Sequence, residues 1–504
     1  MRRRIFGIET EYGAAIQAPH GAFTESVTSY TILDLFLKSR YDTGPLHDFF
    51  FIQDCFPSIY YSVGPESLPS GYWVGSNGAR LYFELQYSGH LPEYSTPECT
   101  SIKSVILQTH AGDRILETLR KEALEWERGK PLERRYFKDI FFSRANTAFT
   151  RIDTEQKYIG SHENYMTEKR FQPPDIGRRE DPKYRGFYNM KSFLLPFLIS
   201  RVVLHGNGGI RYTPGKGWHF VLSQKAFGIS HDSSRITTER QRGIITIRTK
   251  EDCPKEFLRL QPVYADSNMA PLSTFLRMGT THLVLRVLEE HGPPAPLKFD
   301  GLNAQWLWVF ASDPTLRALA PTVGGGSFTA LETQEIYINL VERYVREFSD
   351  EERQILELWK KTVSRLHEDP ESMSQELDWA IKQKYLRDKF ADFENPRARF
   401  ADFLYGDISE RGIYNQLKKR GKVLPLFKNE EELIAHAMVS PESNTRSCVR
   451  AGCIREILKK RPDSWRIAWN EVNAKQHKVI MNDPFMTDTE KVRKLQTHLS
   501  ASEK

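Results

Sequence analysis

Residues 7–13 read "GIETEYG", and in an extended chain the alternation of side chains puts Glu9 and Glu11 on one face. Two carboxylates side by side repel each other and use up a face that would otherwise bury apolar surface. More polar groups follow in stretches of the same kind. "ARLYFELQ" (79–86) places Tyr82 and Glu84 on one face, and "LPEYSTPE" adds Glu93 and Glu98. "GSHENY" (160–165) contributes His162, Glu163 and Asn164. Several carboxylates with one imidazole and no thiolate make a ligand set that hard Mg²⁺ accepts, whereas zinc favours His and Cys. If the strands that carry them are neighbours, a divalent cation removes the repulsion and the acids cradle a metal-bound nucleotide. Singly, each has a plainer reading. A Glu-x-Glu on a strand is ordinarily a solvated face, and a lone His is ordinarily a hydrogen-bonded core residue.

Other candidates carry less. "HGNGGIRYTPGKG" (205–217) and "TVGGGSF" (322–328) match neither a phosphate-binding loop nor a dinucleotide fingerprint and read as turns. "GISHDSS" crowds Ser, His and Asp into one loop, but adjacency in sequence does not make a triad. A net charge of +6 in 504 residues fits an acidic or phosphorylated partner without requiring nucleic acid. Five cysteines without a Cys-x-x-Cys pair suggest free thiols in a reducing compartment. The basic N-terminus lacks an apolar run behind it. "FLLPFLISRVVL" (193–204) is too short to span a bilayer and is interrupted by Pro196 and Arg201. No membrane partner is expected, and the expected location is the cytoplasm.

The elements that must position these residues differ along the chain. The first half is rich in Tyr, Phe, Gly and short alternating stretches, which suits a sheet with long loops. "ARLYFELQ" is the clearest strand, with Ala79, Leu81, Phe83 and Leu85 facing one way. An aromatic, Pro/Gly-marked loop precedes it, over about 40–76. Helices dominate later. Ser273–Gly292 has helical apolar spacing and stops at a glycine followed by two prolines. "SDEERQILELWKKTVSRLHED" opens on a Ser/Asp cap and carries a stripe of Ile355, Leu356, Trp359, Val363 and Leu366. A break near "KKRGKVLPLFKNEEE" suggests a large α+β domain over 1–425 and a small C-terminal domain over 426–504.

Together these segments resemble the family of Pup ligases and depupylases, relatives of glutamine synthetase and the carboxylate–amine ligases. The matching stretches are "GIETEYG", "NGARLYFE", "PEYSTPECT", "GSHENY", "PFLISR", "LSQK", "RGIITIR", "ADSNM", "DWAIKQK", "RGIYNQL", "NTR" with Arg450, and "NDPF". They fall in the family's order over nearly the whole chain. The resemblance implies a glutamine-synthetase-like α+β fold: a curved antiparallel sheet cradle backed by helices, with a small C-terminal α/β domain. It also implies ATP and Mg²⁺ in the cradle, and a small ubiquitin-like modifier such as Pup, with its protein conjugates, as partner. The positions matching the family's metal ligands are Glu9, Tyr82, Glu93 and His162, with Glu11 alongside. Lys225 and Arg248 match basic residues near the phosphates. Arg446, Arg450 and Trp465 match positions that close over the nucleotide.

Four departures stand out, one of them the "LQYSGHLPEY" link, which is longer than the family's link to Pro-Glu-Tyr. The family's catalytic aspartate falls at Glu84, and one methylene moves a carboxylate by roughly an ångström, a displacement worth on the order of a hundred-fold in rate. Lys225 stands where the family usually has arginine, a point charge for a fork. "TKEDCP" replaces the family's Asp-Glu-Pro-His segment, removing a metal-binding histidine and leaving Asp252 as a substitute. "PEYSTPECT", "GSHENY", "RGII", "GIYNQL" and the long stretch before "NGARLY" look more like depupylases, although "GIETEYG" reads like the ligases. The resemblance therefore implies an ATP/Mg-dependent amide or isopeptide hydrolase of the depupylase/deamidase kind, with Glu84 as its catalytic group. The alternatives are a ligase joining the modifier's C-terminal glutamate to a protein lysine, or a nucleotide-binding paralogue without turnover.

Overall fold

A computed structural model describes residues 3–21, 23–25, 49–53, 71–86, 89–135, 137–147, 158–173, 182–235, 242–246, 255–295, 297–460 and 465–501. In chain order the early strands are β1 (Phe6–Glu11), β2 (Gly13–Gln17), β3 (Phe23–Glu25), β4 (Phe49–Gln53) and β5 (Gly71–Gly75). β6 (Arg80–Gln86), β7 (Gly89–Ser95), β8 (Asp139–Ser143) and β9 (Ser161–Glu168) follow. Next come β10 (Gly209–Thr213), β11 (Gly217–Val221), β12 (Ile229–Ser234), β13 (Arg242–Thr246) and β14 (Phe257–Pro262), then the short pair β15 (Ala320–Pro321) and β16 (Ser327–Phe328). Nine of them form the main sheet in the order β12-β13-β14-β9-β1-β7-β6-β5-β4. β1 lies near its middle, between β9 and β7, and both pairings are antiparallel.

Period-two patterning gives this sheet one apolar face. Phe6, Ile8, Tyr165, Leu258 and Leu260 point into the largest core, where they meet the helices Arg185–Ser200, Pro271–Glu290 and Asp350–Glu368. The last of these starts at Ser349, whose side chain and that of Glu352 close a capping box, and it buries Ile355, Trp359, Val363 and Leu366. The apolar run 193–204 lies within this core, with Pro196 inside the helix Arg185–Ser200. Arg201 follows that helix and forms a fully buried fork on Glu163 of β9, at 3.0 and 2.7 Å. The polar face of the sheet is left to carry the site.

Two expectations need correction. The sheet is not wholly antiparallel, because β12 and β13 pair in parallel. Alternation reports which face a residue occupies and is silent on the direction of the neighbouring strand. Within the stretch read as a loop over 40–76, Phe49–Gln53 is the sheet's edge strand and Gly71–Gly75 lies between it and β6, in keeping with their aromatic sequences. Residues 26–48 and 54–70 lie outside the described set. Just past the expected boundary at 425–426 the chain still packs on the long helix of the sheet domain. The helix Glu430–Val439 lays Ile434 and Ala437 on Leu107 and Ala111 of the long helix Ile102–Arg128. The small domain has its own core from Val449 onward, built from the helices Arg446–Lys460 and Glu490–Ala501 with β17 (Trp465–Ile467), β18 (Glu471–Ala474) and β19 (His477–Ile480).

Among the described cysteines, Cys99, Cys448 and Cys453 are free thiols. No helix among the described residues is long and apolar enough to cross a membrane. The buried Glu163–Arg201 fork ties β9 to the helical layer. Removing one partner strands the other charge, so Glu163→Ala is expected to lower stability by about 3–5 kcal/mol, read from the urea midpoint at unchanged m.

Candidate metal and nucleotide site

The register of three adjacent strands brings the polar groups together. Glu9 is paired with His162 on β9 and with Ser95 on β7, and Glu11 is paired with Glu93 on β7. Tyr82 of β6 is in turn paired with Glu93. His162 Nδ1 lies 3.1 Å from Glu9 Oε2, and its Nε2 lies 3.9 Å from Glu11 Oε1, so both acids share the face that alternation assigns. One ligand atom each from Glu9, Glu93 and His162 fall within 4.8 Å of one another. Two carboxylate oxygens and a ring nitrogen that close suit a hard divalent cation. Glu163, one residue from His162, points the opposite way, to Arg201.

Neighbouring groups hold these acids in place. Glu9 accepts hydrogen bonds from Asn164 Nδ2 (3.2 Å), Gln261 Nε2 (2.9 Å) and Arg259 Nη1 (3.4 Å). Burial alone would raise its pKa, but the hydrogen bond from His162 and the charges of Arg259 and His162 outweigh it and keep the carboxyl below its ordinary value. Glu11 accepts the Gly160 N–H at 2.8 Å. Burial, then the charges of Glu93 and Glu9, push the Tyr82 phenol well above its ordinary value, so it stays protonated and hydrogen-bonded to Glu93. Arg259 and Gln261 were missed in the sequence. The alternation in "FLRLQP" held the signal, since Leu258 and Leu260 are core residues and the residues that alternate with them, Arg259 and Gln261, face the acids.

The expected nucleotide residues are more dispersed. Lys225 is buried, its Nζ has no hydrogen-bond partner among the described residues, and burial draws the amine down to about 8 although Glu11 opposes the shift. The amine presses on Gly160, where a Cβ would stand 2.4 Å from Nζ, so only glycine fits. Arg446 and Arg450 lie at the seam with the small domain, where Arg446 Nε and Arg450 Nη2 each reach Glu98 at 2.6 Å. Trp465 sits on β17 against the small domain's core. The tryptophan at the seam is Trp469, with the Arg80 guanidinium 4.3 Å and the Arg450 guanidinium 4.7 Å from its ring centre. Glu84 is placed by its backbone on β6, in register with Leu91. Its side chain lies outside the described residues, as do Arg248 and Asp252.

With that geometry in hand, the family can be stated: the chain belongs to the Pup-ligase family, described as Pup-ligase protein, which matches residues 4–473. A Pup–protein ligase of Sanguibacter keddieii is 31% identical over 512 residues, covering 98% of each chain. A Pup deamidase/depupylase of Mycolicibacterium smegmatis is 29% identical, covering 90% of this chain and 89% of its own. In fold, the chain matches the crystal structure of the complex between prokaryotic ubiquitin-like protein Pup and its ligase PafA. That match has a TM-score of 0.77 at 23% identity, over 99% of this chain and 93% of the other.

Glu98 makes the seam sensitive to acid. Burial opposes its ionisation, but Arg450 and Arg446 hold its carboxyl at about 2, against 4.5 ordinarily. A depressed acid stabilises the fold fully above its unfolded value and loses that contribution as pH falls through the folded one. Wild type should therefore shed about 3 kcal/mol from this group between pH 4.5 and about 2, and Glu98→Gln should show a correspondingly flatter dependence in thermal melts.

Proposed function

We propose that the chain is an ATP-consuming ligase that joins the C-terminal glutamate of a small ubiquitin-like modifier, Pup or a protein like it, to a protein lysine. The observation that carries the reading is the convergence of Glu9, Glu93 and His162 on one sheet face, in a chain matched to the Pup-ligase family almost end to end. This reverses the preference for a hydrolase, because the ligase relative matches at 31% over 98% of this chain and the depupylase relative at 29% over 90%.

Glu9, Glu93 and His162 fit Mg²⁺: their ligand atoms already lie together, and oxygen outnumbers nitrogen. Bound there, Mg²⁺ neutralises the acids and acts as a Lewis acid towards nucleotide phosphates. Tyr82 orients Glu93 through its hydrogen bond, and Glu11, Asn164 and Gln261 hold His162 and Glu9 in place. Lys225, Arg248 and Arg446 are the proposed phosphate-side cations. Glu84 is the proposed catalytic carboxylate, taking the proton from the attacking lysine amine as it displaces phosphate from the activated glutamate.

The test mixes the protein with a Glu-ending modifier, a target protein and Mg-ATP. ADP should form only when the modifier is present, and the target should gain the mass of the modifier. Ammonia release from a Gln-ending modifier without ADP would assign the hydrolase instead. Glu93→Gln and His162→Ala should each weaken divalent-cation binding, measured by Mn²⁺ titration, by about ten- to a hundred-fold, and Gln261→Leu by about ten-fold.

A further inference from the structure

Among its contacts with the cradle, the small domain reaches one hairpin at both of its roots. One is the turn before β6, and the other is Glu98, just past the end of β7. Arg450 joins them. It is 1% exposed, and every N–H of its guanidinium is used. Nε and Nη2 donate to the Gly78 carbonyl at 3.2 and 2.9 Å. Nη1 and Nη2 donate to the two oxygens of Glu98 at 3.2 and 2.6 Å, and Nη1 also donates to the Trp469 carbonyl at 2.7 Å. A planar fork with five donors is built for such an arrangement, and an ammonium is not. No donor remains for a phosphate.

The socket is shaped to match. Gly78 has φ +80°, and a Cβ there would approach the Ser447 carbonyl to 3.1 Å. Beside it the buried Asn77 amide donates to the Tyr94 hydroxyl, Gln108 and the Ala437 carbonyl, while its oxygen accepts the Ala79 N–H. Across β6, Arg80 and Arg450 stack on the same Trp469 ring. Everything pinned here leads directly into the site. Arg80 begins the strand that carries Tyr82 and Glu84, and β7, which ends three residues before Glu98, carries Glu93. The two strands pair along their whole length.

We propose that Arg450 and Glu98 are positioning residues for the ligase reaction. Through them the small domain sets the pose of the β6–β7 hairpin, and Arg450 is not a nucleotide ligand. This rests on the ligase reading for the chemistry it serves, but the pinning itself can be tested without turnover.

The test uses the full-length chain as wild type, Glu98→Gln, Arg450→Lys and the double variant. Three quantities are followed: hydrogen exchange across residues 78–95, the dissociation constant for Mg-ADP, and kcat at saturating Mg-ATP. Each single variant should speed exchange in the hairpin, and the double variant should add little, because either change alone opens the same clamp. At the same time kcat should fall by about ten-fold or more while the Mg-ADP constant moves by less than about three-fold. Hairpin exchange at the wild-type rate overturns the proposal. So does a Mg-ADP constant raised about ten-fold by Arg450→Lys with Glu98→Gln inert, since that pattern marks a direct ligand. Trp469→Ala buries no stray charge and should speed exchange in the same hairpin, which guards against a variant that fails to fold. If wild type takes up no Mg-ADP, the ligase reading fails, and the exchange data still decide the pinning.

Discussion

Buried carboxylates on one face of a sheet repel one another, and the rest of the structure is arranged around that constraint. Glu11 and Glu93 are paired directly across β1 and β7, and Glu9 lies one step along the same face. Such a cluster survives burial only if each acid finds a donor or an opposite charge. His162 reaches Glu9 and Glu11, Arg259 and Gln261 reach Glu9, and Tyr82 keeps its proton on Glu93. These contacts hold the acids oriented while leaving the ligand atoms of Glu9, Glu93 and His162 side by side. That is the state in which a divalent cation has most to gain by entering.

The same sheet resolves like charges by facing them apart. His162 and Asn164 serve the cradle, while Glu163 between them runs into the helical core and is neutralised by Arg201. Adjacent residues of one strand thus take opposite duties, one set by the open face and one by the packed face. The core behind the sheet keeps β9 and β14 from drifting. The distances across the site depend on that rigidity, because a rotated strand would carry its ligand away from the others.

The small domain acts on the cradle from outside it. Glu98 belongs to the segment after β7, yet its partners Arg446 and Arg450 come from the helix that opens the small domain's own core. A fully satisfied fork is rigid and hard to replace piecemeal. Placed at the roots of β6 and β7, it couples the seating of one domain to the position of side chains in the other.

Much of this was legible in the chain itself. Period-two patterns in "GIETEYG" and "ARLYFELQ" determined which side chains share a face, because alternation is a local property of an extended backbone. Capping residues and apolar stripes determined the later helices for the same local reason, and the ordered motifs identified the family. Tertiary structure alone decided that β12 and β13 run parallel, that the helix Glu430–Val439 packs on the larger body, and that Arg259 and Gln261 complete the acid cluster. It also decided that Trp469 rather than Trp465 meets the arginines, and that Arg450 spends its whole donor set on Glu98 and two carbonyls. Each of these depends on a partner far away in the chain, and a charge or a strand edge has no signature in its own neighbourhood of what will come to lie beside it.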